Sequence, residues 1–64
     1  MKQYMVIVKG DGEQGAKFFD SWIEADGYRM DAECGLGYYA QVYEYGKQDP
    51  DDPYEPESYY MIQG

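Results

Sequence analysis

The sequence predicts a small α+β domain: a three-stranded, mainly antiparallel sheet with one helix packed on one face, in the order β-α-β-β. Three observations lead there. Residues 3–9 and 38–45 are rich in β-branched and tyrosine side chains that alternate with a period of two. Between them, residues 16–34 hold apolar side chains at helical spacing. An acidic segment with three prolines then separates the second strand from a short closing one. A chain of 64 residues has room for one domain. At that size only about 60% of the unfolded surface is buried on folding, so the core must be small, or be completed by a partner or a second copy.

In residues 3–9, Tyr4, Val6 and Val8 alternate with Met5, Ile7 and Lys9. Apolar residues on both faces mark a central strand. Residues 10–15, Gly-Asp-Gly-Glu-Gln-Gly, read as a loop by composition. Residues 16–34 admit two readings. A helix over about 16–33 places Phe19, Ile23, Met30 and Cys34 on one stripe with Trp22 alongside. Ala16, Ala25 and Ala32 favour it, and Gly35 stands where the glycine after a helix belongs. The alternative is a hairpin turning at Asp26-Gly27, because Tyr28, Met30, Ala32 and Cys34 also alternate with Arg29, Asp31 and Glu33. The helix is the favoured reading, with Gly27 costing about 1 kcal/mol relative to alanine.

Residues 38–45 form a strand with Tyr39, Gln41, Tyr43 and Tyr45 on one face and Tyr38, Ala40, Val42 and Glu44 on the other. Residues 46–57 form an acidic loop whose prolines exclude helix and central strand. Loops of that length are often functional or mobile. Residues 58–63, Ser-Tyr-Tyr-Met-Ile-Gln, form a last strand that pairs with 38–45 across this loop.

Several chemistries are excluded. Gly10 to Gly15 matches the spacing of a dinucleotide-binding turn. Asp11 and Glu13 would repel a pyrophosphate there, and the chain is too short for the two half-folds of such a domain. The acidic loop resembles a calcium loop in composition. Counted from Asp49, however, the required glycine and glutamate positions hold Tyr54 and Tyr60. There is no histidine, and Ser21 and Ser58 have no evident base. Cys34 is a lone cysteine beside the acidic Glu33, an unfavourable setting for a nucleophile. The sequence therefore predicts no enzyme, no cofactor and no metal site, while weak cation binding by the five loop carboxylates stays open. Residues 1–9 are too short an apolar run for a secretion signal, and nothing approaches a membrane span of about 20 residues. The expectation is a cytoplasmic protein that binds no membrane.

What remains is charge. Thirteen acidic residues against five basic ones give a net charge of −8, alongside nine tyrosines. On a helix over 16–33, Asp20, Glu24 and Asp31 share one face, roughly opposite the apolar stripe. Asp20 and Glu24 would then be about 6 Å apart along the axis, comparable to successive phosphates of a DNA strand. Glu13 and the loop residues Asp49, Asp51, Asp52, Glu55 and Glu57 would extend the row. An amphipathic helix needs a polar outer face in any case, but that need does not explain why nearly all of it is negative. Some of Tyr39, Tyr43, Tyr45 and Tyr54 are expected at the surface, where their rings suit stacking by arginine. Five basic residues cannot offset thirteen acidic ones beside a phosphate backbone, so direct nucleic-acid binding is excluded.

Small size, strong acidity, abundant tyrosine and no catalytic set together resemble the DNA-mimicking inhibitors encoded by phages and mobile elements, of the anti-CRISPR and anti-restriction kind. The resemblance is one of composition and extends over the whole chain. It implies a partner with a basic nucleic-acid-binding surface, such as a CRISPR effector of a host cell, whose channel or PAM-reading cleft the protein would block. The competing expectation is a non-mimetic interaction module or small regulator that works through its tyrosine-rich sheet or as a homodimer.

Overall fold

Local chemistry first decides the architecture at Asp11-Gly12. In the computed structural model, which describes residues 2–35 and 37–64, both residues have positive φ, 53° and 78°. Two such residues make the mirror-image turn whose twist matches antiparallel strands. The turn joins strand β1, Tyr4–Gly10, to strand β2, Glu13–Phe19. Residues 10–15 are thus not a loop, and residues 16–19 are strand rather than the start of a helix. The physical reason is that β2 is an edge strand. All of it except Phe19 is exposed, so no alternation of apolar residues was needed to build it.

The helix α1 spans Trp22–Met30, beginning six residues later than the sequence predicts. Ser21 is its N-cap, in extended conformation, with its hydroxyl accepting from the Glu24 amide at 3.2 Å. Ser21-Trp22-Ile23-Glu24 has the spacing of a capping box. Glu24 in the first turn and Arg29 in the last complement the helix dipole. A π-helical turn, Asp31–Gly35, follows. The left-handed residue that ends it is Gly37, with φ 71°, rather than Gly35.

Strand β3 is Tyr39–Gly46 and strand β4 is Ser58–Gln63. The sheet is antiparallel throughout, in the order β2-β1-β3-β4, so β1 is an inner strand as expected. The protein is α+β with one helix on an antiparallel sheet. The sheet has four strands in the order β-β-α-β-β, however, not three in the order β-α-β-β. A register shift between Val42 and Tyr43 marks a bulge in the β3–β4 pair.

The core lies between α1 and one sheet face. Val6 and Val42, direct cross-strand partners, are fully buried, and Ala25, Ala32 and Ala40 complete the buried set. Tyr4, Val8, Phe19 and Tyr28 pack around them. Of the stripe predicted for the core, Phe19 packs inward from β2 but the rest turns outward. Ile23 is 82% exposed, Met30 is 49% exposed and Cys34 is exposed. The helix seats by Ala25, Tyr28 and Ala32, whose small alanines let its backbone approach the strands. Bulk misleads here, because closeness of approach and not side-chain size selects the inner face. Aromatic contacts close both flanks. Trp22 lies 6.0 Å from Tyr4 and Phe19 lies 5.4 Å from Tyr28. Lys17 lays its ammonium 5.2 Å from the centre of the Tyr28 ring.

Candidate functional site

The row of Asp20, Glu24 and Asp31 does not exist as a single helical face. Asp20 precedes the N-cap, and its carboxylate accepts from Lys2 Nζ at 3.0 Å. Glu24 and Asp31 do share one side of the helical segment, two turns or about 10.5 Å apart along the axis, and both are exposed. Arg29 neutralises their neighbours. Its Nε and Nη2 donate to Asp26 Oδ1 at 3.0 and 2.8 Å, and Nη1 donates to Glu33 Oε2 at 2.9 Å. The Asp26 hydrogen bond, above all, holds the guanidinium above its ordinary pKa. Ion pairs among the described residues engage Asp20, Asp26 and Glu33, but not Glu13, Glu24 or Asp31.

Glu13 and the acidic loop do not extend this side as one row. The register places the Gly10–Glu13 turn beside Tyr39 at one end of the sheet, and the loop follows Gly46 at the other. Within the loop, carboxylates fold back on the chain. The Asp49 amide donates to Glu55 Oε2 at 2.7 Å, the Asp51 amide to Asp49 Oδ1 at 3.1 Å, and the Tyr54 amide to Asp52 Oδ1 at 2.9 Å. Such side-chain turns satisfy amides that prolines and irregular backbone leave without ladder partners. Asp49, Asp52 and Glu55 therefore act as the loop's scaffold. Asp51 and Glu57 are exposed on it, and Tyr54 projects from it with 92% of its surface free. No cluster of three or more acidic or cysteine side chains among the described residues is arranged to hold a metal ion.

The sheet face away from α1 is of different character. Phe18, Met5, Tyr43 and Met61 are successive cross-strand partners over all four strands, with Ile7 and Gln41 paired beside them. Tyr45 and Tyr59 meet edge to face at 5.1 Å, Phe18 lies 5.7 Å from Tyr59, and the Tyr59 hydroxyl donates to the Lys2 carbonyl at 2.7 Å. The acidic residues of the strands, Glu13 and Glu44, pair with Gly10 and Tyr4 and so belong to the helix side. Among the described residues, no strand carboxylate points to the open face, where Lys9 is the one charged strand residue. Tyr43 and Tyr45, expected beside the acidic surfaces, are thereby separated from the strand carboxylates and the acidic helical segment by the thickness of the sheet.

Comparison with protein-family models, with curated proteins and with solved structures finds no match to this chain.

The sequence foretells a tyrosine-rich sheet surface but not the apolar residues that the other strands bring to it. Met5, Ile7, Phe18, Tyr59 and Met61 were available as a signal, since each strand keeps apolar or aromatic residues on its second face as well as its first. Sidedness across strands needs the register, and the register depends on the hidden hairpin at Asp11-Gly12. Also unforeseen was a hollow of about 230 Å³ on the helix side, lined by Glu13, Gly15, Tyr28 and Tyr38. Gly15 lies opposite Val8 and has no side chain to fill the space.

Tyr38 walls this hollow and fastens the hairpin, with its hydroxyl donating to Asp11 Oδ2 at 3.0 Å. That hydrogen bond, and then the Asp11 charge, raise the phenol above its ordinary pKa. A phenol with a raised folded-state pKa stabilises the fold fully below the unfolded value of about 10, and loses that contribution as pH rises through the folded value. Tyr38→Phe should therefore melt below the wild type at neutral pH. The gap should close in thermal melts followed by circular dichroism above about pH 10.

Proposed function

We propose that this chain is a small acidic inhibitor that occupies the basic nucleic-acid-binding surface of a protein complex and keeps nucleic acid out. The observation that supports this reading is the segregation of charge. The strand carboxylates and the acidic residues of the helical segment lie to one side of the sheet. The molecule therefore presents a surface largely of one sign. Glu24 and Asp31 are the side chains of the helical segment that meet lysine or arginine. Asp20 and Glu13 flank them, and Asp51 and Glu57 serve the loop end. Tyr54 offers an exposed ring to an arginine plane. The compositional resemblance to phage and mobile-element DNA mimics makes a host defence complex, such as a CRISPR effector, the partner of choice. The protein acts by occupying a site, without catalysis.

The test is capture of partners from a host lysate by the tagged chain, at low and high salt and with duplex DNA as competitor. Binding should weaken steeply with salt, since charge pairs across a wet interface are screened, and DNA should displace the chain. Reversing Asp20, Glu24 and Asp31 together to lysine should weaken binding by about a hundredfold while the circular dichroism spectrum stays unchanged. Capture that persists undiminished in saturating DNA would overturn the proposal.

A further inference from the structure

We infer that the open sheet face is a self-association surface, on which two copies stack face to face into a four-layer α-β-β-α dimer. Three observations lead to a second copy. The first is the poverty of the monomer core. Its fully buried side chains are small, whereas Phe18, Met5, Ile7, Tyr43 and Met61 stand on a face that no helix or strand among the described residues covers. The open face thus carries larger apolar side chains than the fully buried set, and a second sheet is the ordinary way to bury them.

The second is charge. A partner that recognises this chain by its acidity would have to engage carboxylates, and the open face displays none from its strands. Its only charged strand residue, Lys9, sits towards the hairpin end. The face therefore suits an uncharged surface, and the uncharged surface the structure provides is its own copy. Stacking in this way also places the two acidic helical sides outward, on opposite faces of the pair, which keeps like charges as far apart as the fold allows.

The third is area. Four strands of about seven residues cover roughly 440 Å² in plan. The pleat and the exposed Phe18 and Met61 side chains raise the accessible area above that figure. The result approaches the roughly 600 Å² per partner found at the low end of specific interfaces. Phe18 and Met61 are 47% and 50% exposed in the monomer and gain from cover.

The inference stands independently of the inhibitor reading, and salt separates the two. Dimerisation by an apolar face strengthens as salt screens the repulsion between copies that each bear −8. Capture of a basic partner weakens. Sedimentation equilibrium of the full chain should give twice its 7.4 kDa mass, with tighter association at high salt. Ile7→Glu and, as an independent variant, Tyr43→Lys should sediment as monomers with an unchanged far-ultraviolet spectrum. Ile23→Glu, on the outer face of α1, should remain dimeric. If Ile7→Glu does not fold, Tyr43→Lys decides. A wild-type chain that stays monomeric up to about 1 mM at high salt would overturn the inference. So would a dimer that survives both open-face variants.

Discussion

Gly10→Ala should destabilise the protein by about 1–3 kcal/mol, the usual cost of forcing extra bulk into a packed site. A Cβ at position 10 would come within 2.1 Å of Tyr38 Cδ1 and 2.6 Å of its Cγ. These atoms are at the root of the ring, so no small rotation of a side-chain tip relieves the clash. Tyr38 must swing away, which also breaks its hydrogen bond to Asp11 and loosens the hairpin. Urea denaturation should show a lower midpoint with an unchanged slope. An unaltered midpoint would mean that the ring packs elsewhere in solution. Gly15 provides the control, because a Cβ there meets nothing within 4 Å.

Val6→Ala should cost about 2–3 kcal/mol, from the lost transfer of two methyl groups and the cavity left behind. Val6 is 0% exposed and lies directly opposite Val42, also 0% exposed. A domain under about 70 residues seldom has more than 3–5 kcal/mol from its core, so one such change removes about half of it. Val42→Ala opens the same space from the facing strand. The double variant should therefore depart from the sum of the singles, as neighbours sharing a cavity do. Strict additivity in denaturant titrations would show that the two sites relax separately.

How far the sequence foretells this molecule depends on what each segment must bury. Strands β1 and β3 were legible because Val6, Val8, Ala40 and Val42 alternate towards a core and so leave a periodic trace, and β4 because Tyr59, Tyr60, Met61 and Ile62 follow the proline-rich loop as a short aromatic and apolar run. Strand β2 was not, because an exposed edge needs only Phe19 inside and its other positions are free to be polar. The chain has two Asp-Gly pairs. The one at Asp11-Gly12 turns a hairpin, whereas Asp26-Gly27 lies within α1. Only the Ser21 cap, with Glu24 three residues on, distinguishes them in advance. In the candidate site, acidity was legible as a total and not as a pattern. Which carboxylates are spent on Lys2, on Arg29 or on loop amides depends on contacts between residues distant in the sequence or on local turns.

Strand β4 is an outer strand that bears no charge and no proline along Ser58–Gln63, while its opposite number β2 has Glu13 and Lys17. Such a bare edge can template strand addition without limit, unlike a face-to-face pair, which closes on itself. The charge of −8 then serves the molecule in colloidal terms, by holding approaching edges apart. The safeguard fails as acidification approaches the isoelectric point near 4.1. There the strand that completes the sheet becomes the seam along which fibres would grow.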